Sequence, residues 1–78
     1  MNTDSFDPQE FLLFGLNHYE IPVEKEEGKM VSLQHQYIIE IEGPSLYKLI
    51  HEGQVVAPFA DVQQLCEFIR QDISLNYG

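Results

Sequence analysis

Residues 30–42 read MVSLQHQYIIEIE, and the placing of this run decides the fold. Val31, Leu33, His35, Tyr37, Ile39 and Ile41 fall on one parity, while Ser32, Gln34, Gln36, Glu40 and Glu42 fall on the other. Ile38 is the exception on the polar side. Successive side chains of a strand point to opposite faces, so this alternation predicts one long strand with a dry face and a wet face. Upstream, EIPVEKEEGK at residues 20–29 predicts a short strand at about 20–25, returned by a turn at Glu27-Gly28. Pro22 has no N–H to give to a ladder, which places that strand at a sheet edge.

Downstream, Gly43-Pro44-Ser45 is turn chemistry and closes the long strand. LYKLIH at 46–51 and QVVAPF at 54–59 then predict a hairpin about Glu52-Gly53, where glycine tolerates the positive φ of a tight turn. Its simplest register pairs His51 with Gln54, Ile50 with Val55 and Leu49 with Val56. On that register Leu46, Ile50, Val55, Ala57 and Phe59 share one face, and Tyr47, Leu49 and Val56 share the other. Both faces are therefore apolar, unlike those of the long strand.

Helices are predicted at both ends. In DPQEFLLFGLNH, residues 7–18, Asp7 can cap, Pro8 suits the first helical position and Glu10 completes a capping-box spacing. Phe11, Leu12, Gly15, Leu16 and Tyr19 follow a helical stripe over about 8–18, but Leu13 and Phe14 make the segment apolar nearly all round; a strand through residues 11–14 is the alternative. Asp61 caps a second helix at about 61–73, in which Val62, Leu65, Cys66, Ile69 and Ile73 recur on one face. Arg70, in its last turns, complements the helix dipole. The expected fold is α+β: an antiparallel four-stranded meander, 20–25, 30–42, 46–51 and 54–59, flanked by two helices in one domain spanning 1–78. Residues 1–6 and 74–78 are expected to be loose.

With 78 residues, the chain buries only about 60% of the surface that its unfolded form exposes. One cysteine excludes an internal disulfide, and 44% hydrophobic residues exceed what a disordered chain carries. The start, MNTDSFDPQE, lacks the basic and apolar regions of a signal peptide, and no apolar run approaches the roughly 18 residues of a membrane span. A cytoplasmic protein is the expectation. Thirteen acidic residues against four Lys and Arg give a formal charge of −9, which disfavours direct contact with nucleic acid or an anionic membrane.

His18, His35, His51 and Cys66 could ligate a metal, but they show no ligand spacing and fall on different elements, so neither a metal nor a cofactor is expected. His35 reads as a core-face strand residue and His51 as a turn shoulder. Cys66 lies on an apolar stripe beside Glu67, which suits a buried thiol rather than a nucleophile. No phosphate loop or G-x-S-x-G is present, and Glu40 and Glu42 alternate onto a wet face; no catalytic residue is assigned and no enzyme is expected. The surplus of apolar residues points instead to a protein-interaction or regulatory module. Its partner is another protein or a second copy in a homodimer, with Phe14, Tyr47 and Leu49 as candidate anchors. The alternative is an acidic inhibitor that mimics nucleic acid in the basic groove of a nucleic-acid-binding protein.

Overall fold

A computed structural model of the protein describes residues 7–77; the expected looseness of 1–6 and of Gly78 lies outside them. Helix α1, Pro8–His18, starts where its caps dictate: Asp7 accepts from the Gln9 N–H at 3.0 Å, and Pro8 fills the first turn. It ends without glycine. Glu20 takes the left-handed conformation at φ 59°, the Glu20 N–H donates to Asn17 C=O, and the Ile21 N–H donates to Leu16 C=O at 2.8 Å. This is the hydrogen-bond pattern of a glycine-terminated helix, with the buried Ile21 as its hydrophobic closure.

Glu20–Pro22 is therefore committed to ending α1. The edge strand expected at 20–25 is displaced to β1, Val23–Glu27, which pairs with β2, Met30–Leu33. The intervening turn is Gly28-Lys29, one residue later than expected, with Gly28 at φ 59°.

The predicted long strand is two strands. Gln34–Gln36 form a 3-10 turn in which His35 (φ 61°) and Gln36 (φ 66°) are both left-handed, and the chain reverses into β3, Tyr37–Gly43. Val31 pairs with Ile39 and Ser32 with Ile38. Because the partner numbers sum to an even value, odd residues still meet odd residues, and Val31, Leu33, Tyr37, Ile39 and Ile41 all remain buried on one face. His35 is thereby corrected from a core-face strand residue to an exposed turn residue.

β3 pairs with β4, Leu46–His51, which pairs with β5, Gln54–Phe59, and the sheet is a five-stranded antiparallel meander in chain order. The Glu52-Gly53 turn forms as expected, with both residues at positive φ. Beyond Ile50↔Val55 the register slips by one residue, so Leu49 faces Ala57 rather than Val56. This bulge turns Ala57 and Phe59 to the same side as Tyr47 and Leu49.

Helix α2, Val62–Asn76, is capped by Asp61, which accepts from the Gln63 N–H at 3.0 Å. It buries Val62, Leu65, Cys66 and Ile69 and runs beyond residue 73, so 74–76 are helical rather than loose. Its end is anchored: Tyr77 stacks on His35 with ring centroids 4.1 Å apart, and its hydroxyl lies 3.1 Å from His51 Nε2. Arg70 serves the other helix, donating to the Tyr19 carbonyl at the end of α1.

Both helices pack on the same sheet face, and every fully buried strand residue points to that side. Among the described residues, no polar side chain is buried without a partner, and no helix is long and apolar enough to cross a membrane.

Candidate functional site

Stacking both helices on one face closes the core and leaves two apolar regions outside. Tyr47 and Leu49, expected as interface anchors, are 1% and 0% exposed and belong to the core. Their misplacement traces to the β5 bulge, which supplies Ala57 and Phe59 as inner-face partners instead of leaving two competing apolar faces. Phe14 differs: it is 69% exposed, and Phe11, one turn before it, is 48% exposed.

The first region is the open sheet face, where Ile38, Ile50 and Val55 form a strip across β3, β4 and β5. It is interrupted by Lys48, whose ammonium lies 2.8 Å from Glu42 and 3.5 Å from Glu40. Chiefly through its hydrogen bond to Glu42, this arrangement holds the Lys48 ammonium above its ordinary pKa. Sheet faces of this kind present ridges rather than a recess. The free edge beyond the strip is blunted by the bulge at Val56 and by Pro58.

The second region is concave. Phe11, Phe14, Gly15 and His18 recur along one stripe of α1 and face Asp61, Val62 and Gln63 at the start of α2, enclosing a groove of about 340 Å³. Its floor exists because residue 15 has no side chain: a Cβ there would stand 2.4 Å from Val62 Cγ1. Leu12 and Leu16, on the adjoining stripe, hold α1 to the core, so the two phenylalanines project from a fixed support.

At His18 and Tyr19 the groove opens into a wider shelf of about 650 Å³, lined also by Glu20, Glu67, Arg70 and Gln71. Glu67 accepts from the Tyr19 hydroxyl at 3.2 Å and from Gln63 Nε2 at 3.3 Å. Burial and then the Glu67 carboxylate push the Tyr19 phenol above its usual pKa, as a locally negative field requires.

The other chemistry-bearing residues are engaged in contacts within the fold. Cys66 is fully buried against α1, and burial, reinforced by Asp61 and Glu67, pushes its thiol up to about 11, so it is protonated at neutral pH. His51 stacks on Tyr37 at 4.1 Å, Tyr37 hydrogen-bonds Asp72, and His35 stacks on Tyr77, a cluster that ties the end of α2 to two loops. His18 meets the ring of Tyr19 edge-on at 5.3 Å. Among the described residues, no three His, Cys, Asp or Glu side chains converge as a metal site would require.

Of the three expected anchors, the structure leaves only Phe14 at the surface; it adds Phe11, which the expected core stripe of α1 had included, while Val62 is buried in the core as expected and forms the groove floor with Gly15. The signal was present in the excess width of the apolar face of α1, but width alone does not say which edge of a stripe is left outside. Comparisons with protein-family models, curated proteins and solved structures find no match for this chain.

Proposed function

We propose that this chain is a small, non-enzymatic protein-interaction module of the cell interior, binding its partner through the groove between α1 and the start of α2. The observation that carries this reading is the exposure of Phe14, 69% on a helix whose other stripe is fully buried, at the wall of a recess rather than alone on a convex surface. Aromatic side chains bring large apolar area at low entropic cost and dominate the energetics of docking sites. A non-enzymatic role is supported by the chemistry of the candidates: the thiol is buried and protonated, and Glu40 and Glu42 are engaged by Lys48.

The test is comparative capture. Bait carrying Phe14→Ser is expected to keep its stability within about 0.5 kcal/mol, as surface substitutions do, yet to lose affinity for the partner retained by wild type by about thirtyfold, the scale of a hot spot. Val55→Ser, on the open sheet face, is the control and is expected to retain that partner. Equal retention by wild type and Phe14→Ser rejects the groove, and loss on Val55→Ser alone moves the site to the sheet.

A further inference from the structure

We infer that the occupant of the groove is a basic segment of another protein that places an apolar side chain between Phe11 and Phe14 and an Arg or Lys on the shelf beside Glu67. This rests on the proposed reading of the groove as a docking site and names the chemistry of what it takes.

Complementarity decides the occupant. The apolar end is formed by Phe11, Phe14, Gly15 and Val62, with Asp61 at its rim, while the far end carries Glu20 and Glu67. Among the described residues, no Lys or Arg forms an ion pair with any of these three carboxylates. Arg70, the one cation on the shelf, is turned to the Tyr19 carbonyl, and Lys48 and Lys25 are paired elsewhere. Glu67 takes both of its hydrogen bonds on one oxygen, Oε2, and Asp61 takes its bond on Oδ1, so each carboxylate keeps an oxygen for an incoming donor. A guanidinium here would also meet the ring of Tyr19, a favourable cation–π environment.

The same field excludes other occupants. A second copy brings another formal charge of −9 to an acidic shelf, and nucleic acid or an anionic lipid surface is repelled likewise. Spacing follows from the helix. From the phenylalanines to Tyr19 and Glu20 is about seven residues along α1 and the turn that ends it, roughly 10 Å at 1.5 Å per residue. The occupant's anchor and base are therefore two helical turns apart, or about three residues apart in an extended segment.

The probe is a helical alanine-rich peptide carrying a leucine and, two turns further on, an arginine. It is titrated into isotope-labelled protein while backbone amide shifts are followed. The expected result is movement of the Phe14, Gly15, Tyr19 and Glu67 resonances and affinity that falls as salt rises. A glutamine in place of the arginine is expected to weaken binding about three- to fivefold, the scale of one exposed ion pair. Glu67→Gln should reproduce that loss and Glu24→Gln should not.

If the glutamine peptide binds the groove as well as the arginine peptide, the groove stands as a docking site and the basic partner is wrong. If the arginine peptide moves only the acidic residues of β1, attraction is general charge and the inference fails. If no peptide moves the groove resonances, both readings fail together.

Discussion

Gly15 shows how one residue sets the spacing of two elements. A glycine inside a helix is worth about 1 kcal/mol less than alanine, and here that loss is offset by the close approach of α1 to Val62 and Cys66. The Cβ of an alanine would stand 2.4 Å from Val62 Cγ1 and 3.6 Å from Cys66 Sγ. Val62 is 4% exposed, so its methyl group cannot swing into solvent without opening the core. Overpacking of this kind costs about 1–3 kcal/mol, more than the helix propensity returns. Gly15→Ala is therefore expected to destabilise the protein by about 1 kcal/mol in urea denaturation. Because the clash is with one methyl group, Val62→Ala should cost less in the Gly15→Ala background than alone, a coupling of about 0.5 kcal/mol or more. A Gly15→Ala protein as stable as wild type would show that the helices can part freely, and the groove floor would then not be fixed by this contact.

At the scale of elements, the decisive feature is the reversal at Gln34–Gln36. Left-handed backbone at a non-glycine residue costs about 1–2 kcal/mol, whereas glycine's added entropy loss is about 0.5–1 kcal/mol. Gln36, exposed and at φ 66°, is thus expected to gain about 0.5 kcal/mol on Gln36→Gly. The hydrogen bond from the Glu52 N–H to its carbonyl uses backbone alone and survives the change. A lower urea midpoint for Gln36→Gly would mean that the side chain, not the backbone, holds the turn. The same residues explain what the sequence could convey. Periodicity identified which side chains go inside, and both helices begin at their Asp caps. The β4–β5 turn was legible to the residue because Glu52-Gly53 is a recognisable turn. A three-residue reversal with no Gly, Pro, Asn or Asp carries no such mark, and it preserves parity, so one strand and two strands produce the same alternation. A two-residue turn would have inverted the pattern and betrayed itself. The β5 bulge was hidden for a related reason: it moves one residue, Val56, and with it the facing of Ala57 and Phe59. That slip, invisible in composition, brings Ala57 and Phe59 to the inner face beside Tyr47 and Leu49, which already face inward through their pairing with Ile41 and Ile39.

For the whole molecule, the sealed core and the acidic surface act together at alkaline pH. Three acids of the buried core are held in the protonated form by the fold: Cys66, pushed up to about 11 mainly by burial; Tyr37, raised well above its ordinary range by burial and then by its bond to Asp72; and Tyr47, raised by burial. In the unfolded chain the thiol ionises near pH 8.5 and the phenols near 10. Above those values the unfolded chain binds fewer protons than the folded one, so stability must fall as pH rises. The contribution is present in full below about pH 8.5 and is lost progressively toward the folded values, with Cys66 alone worth on the order of 2 kcal/mol by pH 11. For a domain of this size, whose total stability is on the order of 5 kcal/mol, that is a large share. The formal charge of −9 works in the same direction, since each further ionisation adds to self-repulsion in the compact state. The urea midpoint is therefore expected to hold from neutral pH to about 8.5 and to drop steeply between about 9 and 10.5. Cys66→Ala should begin from a lower midpoint because it leaves a small void, yet lose less over that interval. A slope unchanged by Cys66→Ala would remove the thiol from this explanation and leave the tyrosines and the surface charge to carry it.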